Sequence, residues 1–308
     1  MRANYYIKRT VDCINSVTIP SHTGFTTYQD NIGEIENKGF ELDFQSNFIR
    51  TKDWNVTVSG NLAHNKNKIL KIAESLKAYN DRVDQALNNP FSTNVVKSKS
   101  YRKYQEGISQ SAIWAMKSLG IDPASGDEIY LNPDGTITNH WNSSNQVIVG
   151  DEEPAIQGSF GLNVTWKRFS LYTTFMYECG GQRYNQTLAD KIEGVDILRN
   201  NVDARVLSGR WKAVGDLSPY KAIQVKPNTS VSATRATSRF VQDYNWVNWN
   251  SVTLEYDFNP TLIKSFGLTM LRLGVGANDL VRWSSVKQER GLSYPYSKTV
   301  NFSLKASF

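Results

Sequence analysis

The end of the chain sets the pattern. From Tyr296 to Phe308, Tyr296, Val300, Phe302, Leu304, Ala306 and Phe308 share one parity, and Lys298 is the only intruder. Ser297, Thr299, Asn301, Ser303, Lys305 and Ser307 share the other. Strand side chains point alternately to opposite faces, so this segment has one apolar and one polar face. It is longer than the usual soluble strand of about 5–6 residues. It fits the roughly 9–11 residues a strand needs to cross a bilayer.

The alternation recurs along the chain. Phe40, Leu42, Phe44 and Phe48 oppose Glu41, Asp43, Gln45 and Asn47. Trp54, Val56, Val58 and Leu62 oppose Asn55, Thr57, Ser59 and Asn61. Phe160, Leu162, Val164 and Trp166 oppose Gly161, Asn163, Thr165 and Lys167. Val252, Leu254, Tyr256 and Phe258 oppose Ser251, Thr253, Glu255 and Asp257, and Leu271, Leu273 and Val275 oppose Arg272, Gly274 and Gly276. Phe169, Leu171, Phe175 and Tyr177 form a less clean set, because Tyr172 and Met176 fall on the polar parity. Charges in mid-strand suit a hydrated lumen and not a packed core. Aromatics gather toward segment ends (Trp54, Trp166, Trp246, Trp249, Trp283), where interfacial girdles belong.

These runs predict eight strands, near 4–11, 39–49, 54–66, 158–166, 169–179, 245–258, 268–283 and 296–308. Connections alternate in length. Arg50–Asp53, Lys167–Arg168 and Asn259–Phe266 are short, whereas Lys66–Pro154 and Gly180–Tyr244 are very long and Asp12–Lys38 is intermediate. The short turns and Phe308 are expected at one rim and residues 70–150 and 182–240 at the other, as in an outer-membrane barrel. Ile72, Leu76, Tyr79, Val83 and Leu87 recur at helical spacing and predict a helix inside the first long loop. The fold class is therefore all-β: an antiparallel transmembrane barrel wall of at least eight long strands with long extracellular loops. Its apolar parity, including Phe302, Leu304, Leu254, Leu273 and Val56, should be exposed, because its intended solvent is lipid.

Composition narrows the classes. The 308 residues are 40% hydrophobic, with mean hydropathy −0.46, and no apolar run approaches the ~20 residues of a membrane helix. A net charge of +6 comes from scattered Lys and Arg, with no aromatic-interleaved basic patch, so nucleic acid is not an expected partner. Cys13 and Cys179 stand far apart, so neither a metal site nor a disulfide framework follows, and a single bridge stays open. His22, His64 and His140 are isolated. There is no GxSxG or HExxH, so no catalytic, metal or cofactor site is expected. The residues expected to meet a solute are Glu41, Asp43, Asn163, Glu255, Arg272 and Asn278 on the polar parity. Four aromatics read as loop residues, Trp141, Trp211, Trp246 and Trp249, suit a sugar ring or a capping partner, although loop packing is the commoner use of such residues.

A family resemblance rests on ordered blocks. Asn31–Leu42, Asn65–Ile69, Leu119–Gly126, Val149–Pro154, Gly180–Gln186, Asn201–Leu207, Arg210-Trp211 with Gly215-Asp216, Thr237–Gln242, Ala277–Leu280 and Glu289–Pro295 follow one another as in the late barrel of the SusC/RagA family of TonB-linked outer-membrane transporters. Ala204 and Tyr244–Trp246 depart from the family pattern. The resemblance implies that 1–308 is the C-terminal part of a barrel, with the plug domain and N-terminal strands absent. It implies TonB-dependent import of oligosaccharides or peptides across the outer membrane of a Bacteroidetes-like bacterium. The implied partners are outer-membrane lipid, a SusD-like surface lipoprotein, and the TonB complex through the plug. The alternative is a free-standing structural or passive barrel. Residues 4–11 would then either pair with 296–308 or leave the sheet open at both edges. Open edges would prevent the isolated chain from inserting.

Overall fold

The structure is a computed structural model. It describes residues 1–12, 14–18, 27–31, 33–92, 95–199, 202–223, 233–287 and 298–308. Cys13, His22, Ile32, Asn201, the block 289–295, Tyr296 and Ser297 lie outside the described residues.

Eight strands form one sheet: β1 (Arg2–Thr10), β2 (Gly33–Arg50), β3 (Trp54–Ile72), β4 (Ile156–Trp166), β5 (Phe169–Tyr184), β6 (Val241–Asp257), β7 (Met270–Ser284) and β8 (Thr299–Ser307). Their order in the sheet is their order in the chain, and every neighbouring pair is antiparallel. This is the meander of a barrel wall. Among the described residues β1 and β8 are not paired with each other, so both are edge strands.

The short connections share a rim, and backbone hydrogen bonds join them laterally. Lys167 N donates to Asp53 O (2.8 Å), Asp257 N to Arg168 O (2.9 Å), and Thr269 N to Ser307 O (2.8 Å). The third of these turns is a small helical one, α2 (Pro260–Ile263), capped by the Asn259 side chain and begun by proline. The long connections leave from the opposite rim.

Strands β2 and β3 run 18 and 19 residues, well beyond the predicted 39–49 and 54–66. Sequence alternation ends early there because Glu36–Lys38 and Asn65–Lys68 are polar on both parities. The backbone continues because its edge is covered by loop residues above the top of β4. Ile69 N donates to Ile108 O, and Gly107 N to Ile69 O, each at 2.8 Å. The Glu153 carboxylate accepts from Asn67 N (2.9 Å) and Glu106 from Ile72 N (3.1 Å). Glu153 belongs to the block before β4, and this edge cover is what its carboxylate does.

Burial is inverted relative to a soluble protein. Phe302 (79%), Leu304 (68%), Leu273 and Leu254 are exposed, as expected of a lipid face. Val56 departs from that expectation and is only half exposed, between Ile49 and Val164 on the neighbouring strands. The closed apolar clusters lie in the loops instead. Leu188, Ala189, Ile192, Val195, Val206 and Phe240 form one. Ile35 and Ile72 at the strand tops form another with Leu76 of helix α1 (Glu74–Asn88). That helix buries Leu76, Val83 and Leu87, as its spacing predicts, while Ile72 stays in the strand. The turn-rich loops thus form a packed assembly, with a two-stranded sheet of Ala112–Ala115 against Val147–Asp151 and a three-stranded sheet of Lys117–Ile121, Glu128–Leu131 and Ile137–Thr138.

Candidate functional site

One face of the wall is apolar and aromatic. At the short-turn rim Trp54 stacks on Trp166 (5.6 Å between centroids), Trp166 on Phe169 (5.9 Å), and Phe169 meets Tyr256 (4.7 Å), which meets Phe258 (5.1 Å). The row crosses β3 to β6 because register places these residues opposite one another. A second row joins Phe160 to Phe175 (4.8 Å) and Phe175 to Trp249 (5.8 Å). Six strand positions separate Phe160 from Trp166, about 20 Å at strand rise. Between the rows lie Leu162, Val164, Leu171, Val252 and Leu254. An apolar band of roughly 25 Å flanked by aromatic girdles is the outer surface of a membrane barrel.

Trp249 reaches that face through a register shift between Trp249 and Ser251, which reverses parity inside β6. It is a strand residue, not a loop aromatic, and its Nε1 donates to Thr173 Oγ1 (2.7 Å). Trp246 also lies within β6, on the polar face. Its Nε1 donates to Glu178 Oε2 (2.6 Å), and the Arg282 guanidinium sits 4.2 Å from its ring centroid.

The expected solute-facing residues fall into separate groups. Glu41 and Trp246 line one cleft of 380 Å³ on the polar face, with Asn61, Gln157, Met176 and Glu178. Glu255 and Arg272 belong to an ion cluster toward the short-turn rim. Arg272 bridges Asp257 (2.6 Å) and Glu255 (3.1 Å), and Lys305 approaches Glu255 (3.8 Å), so the cluster spans β6, β7 and β8. Nine positions of β6 separate Trp246 from Glu255, about 30 Å. Asp43 and Asn278 are exposed and in neither group. Asn163 is half-buried, and its Oδ1 has no partner among the described residues. Glu178, Arg282 and Asp257 were missed. The first two lie beyond the clean part of the alternation, and Asp257 was read only as strand polarity.

Trp141 and Trp211 hold the two long loops to each other. Trp141 Nε1 donates to Ala236 O (3.0 Å) and Trp211 Nε1 to Pro123 O (3.0 Å). The Trp211 ring lies so close to Gly126 that an added Cβ would meet it at 2.6 Å, and Gly126 has φ +76°, so glycine is required twice over. The centre of the lacing is Arg239, in the block Thr237–Gln242. Its guanidinium is bound by Glu128 at 2.6 and 2.7 Å and by Glu193 at 2.9 and 3.1 Å. Burial alone raises the Glu193 pKa, yet the attraction of Arg239 and Lys221 carries it below the ordinary carboxylate value.

Among the described residues no group of His, Cys, Asp or Glu could hold a metal. His64 Nδ1 lies 2.6 Å from Ala155 O, at the top of β4. No family profile matches the chain. Over 91% of its length it is 25% identical to TonB-dependent receptor P3 of Formosa agariphila, and over 92% it is 26% identical to TonB-dependent receptor P26 of the same bacterium. A shorter stretch of 68 residues, 22% of the chain and 7% of the relative, is 40% identical to TonB-dependent receptor SusC of Bacteroides thetaiotaomicron. The RagAB peptide importer in its closed-closed state superposes with a TM-score of 0.74 at 20% identity, covering 99% of this chain and 33% of the solved chain. In sequence the chain is similar to TonB-dependent receptors, SusC among them, and its wall has the fold of part of the RagAB importer. It spans 27% and 28% of the length of the two Formosa relatives. The names of these relatives are those of receptors and an importer, and none is an enzyme's.

Proposed function

We propose that this chain is the late barrel wall of an outer-membrane transporter that imports oligosaccharides or peptides with energy delivered by TonB. The observation that carries the reading is the two-faced wall. Aromatic rows about 20 Å apart bound an exposed aliphatic band on one face, while the other carries Glu41, Glu178, Arg272 and Glu255. A polar face at bilayer depth requires water or protein on its far side. The laced loops beyond the upper rim offer a broad surface for a SusD-like lipoprotein. TonB would act through a plug segment elsewhere in the full-length protein. The kinship with receptors named for TonB supports the coupling, and the likeness to RagAB supports the wall.

The test is uptake by the native bacterium. Deleting the gene should abolish growth on one oligosaccharide or peptide source. A protonophore, or loss of TonB, should stop accumulation of that solute in the wild type. Uptake that persists without TonB and follows the concentration gradient would favour a passive barrel and overturn the proposal.

A further inference from the structure

The loop assembly encloses a second cleft, of 360 Å³, between α1, the segment 99–104, the strand Ala112–Ala115 and the upper end of β5. Tyrosines dominate its walls. Tyr184 is committed to the fold, since its hydroxyl donates to Ser98 O (2.5 Å), and Tyr101 accepts from Val96 N (3.0 Å). Tyr79 and Tyr104 rest their rings against the Ile35–Ile72–Leu76 cluster, 5.9 Å from each other, but neither hydroxyl has a hydrogen-bond partner among the described residues. Because neither is a closed-off polar atom, both hydroxyls are free to bind a ligand.

The charges of the cleft do not balance. Arg102 makes one ion pair, with Glu152 (3.1 Å), and both groups are exposed enough to share that contact with a ligand. Lys99 has no carboxylate partner among the described residues, and its ammonium stands 5.3 Å from the Tyr101 ring centroid. Two cations therefore face a single carboxylate. An anionic group is attracted here, and a guanidinium binds it through paired N–H donors.

We propose that this cleft binds one acidic sugar, a carboxylate-bearing unit of a glycan. Lys99 and Arg102 hold the carboxylate, the phenol rings lie along the C–H face of the pyranose, and the hydroxyls of Tyr79 and Tyr104 bond its hydroxyls. The volume is at the small end for ligand sites and suits a single unit of a longer chain. This names a substrate chemistry for the import proposed above and rests on that reading.

The test uses the full-length protein in detergent and calorimetric titration with a tetragalacturonate. A neutral tetrasaccharide of glucose and a hexaglutamate peptide are the comparisons. Tetragalacturonate should bind, weaken as salt is raised, and lose at least tenfold in affinity in the Lys99→Gln/Arg102→Gln variant. Lys99→Gln alone, which alters an exposed side chain resting on one ring, should lose part of that affinity with the fold intact. Equal binding of the neutral sugar, tighter binding of hexaglutamate, or affinity unchanged in the double variant would overturn the assignment. TonB-dependent uptake of some other solute by a protein that ignores tetragalacturonate would defeat this inference alone. Absence of any TonB-dependent uptake would defeat the import reading itself.

Discussion

Arg239 is where a single residue decides the most. Its guanidinium satisfies two carboxylates, Glu128 and Glu193, whose side chains are each 1% exposed. Replacing it leaves Glu128 buried without its cation and Glu193 with Lys221 alone, at 3.7 Å, and breaking a buried pair from one side costs about 3–5 kcal/mol. Arg239→Met should therefore loosen 112–150 and 185–240 together while the wall stays intact, seen as faster proteolysis of the loops with unchanged heat-modifiable migration. The same site sets a pH dependence. The folded pKa of Glu193 lies below its ordinary 4.5. Its contribution is fully present above that value and is lost as pH falls through the folded one. Amide exchange in these loops, corrected for its intrinsic rate, should rise once pH falls below that ordinary value and hold steady well above it. Arg239 stood inside a block singled out in the sequence, but its partners were not legible. Glu128 and Glu193 lie far from it in the chain and carry no periodic signal, so only the packed loops bring the three together.

At the scale of the strand the sequence was most informative, and the reason is physical. A strand wetted on one face by lipid and on the other by water writes its structure as strict alternation, which is why Phe160–Trp166, Val252–Tyr256 and Val300–Phe308 were read correctly. The signal fades where neither solvent is lipid. Glu34–Lys38 and Asn65–Lys68 extend β2 and β3 into the loop layer, held by Glu153, Glu106 and Ile108. A register shift is likewise silent in a parity pattern: Trp249 is expected in a girdle, but the parity of β6 does not show that it turns to the apolar face. The alternation makes a direct prediction. Leu254→Arg, inside the apolar band between the aromatic rows, should destabilise the barrel by up to ~2–4 kcal/mol in lipid vesicles. Thr253→Arg, one position along on the polar face, should cost far less. Urea unfolding followed by tryptophan fluorescence compares them, and equal losses would remove the two-solvent account of the wall.

For the whole molecule, the eight strands make a continuous wall whose edges, β1 and β8, are not joined to each other among the described residues. Unpaired backbone groups in hydrocarbon cost several kcal/mol each. Residues 1–308 expressed alone should therefore fail to show heat-modifiable migration and should aggregate, whereas a chain supplying neighbouring strands for both edges should insert. Migration typical of a closed barrel by the isolated chain would contradict this.

These strands should cross the outer membrane with the short turns on the periplasmic side and the laced loops outside. Cysteine labelling of intact cells decides the orientation, in the full-length protein with Cys13 and Cys179 replaced by serine. A membrane-impermeant maleimide should modify Ser218→Cys, in the long-loop layer, on intact cells. Lys264→Cys, in the short turn between β6 and β7, should react only after the outer membrane is permeabilised. Labelling of Lys264→Cys on intact cells, with Ser218→Cys protected, would reverse the orientation. Equal labelling of both would show that the wall does not span the membrane at all.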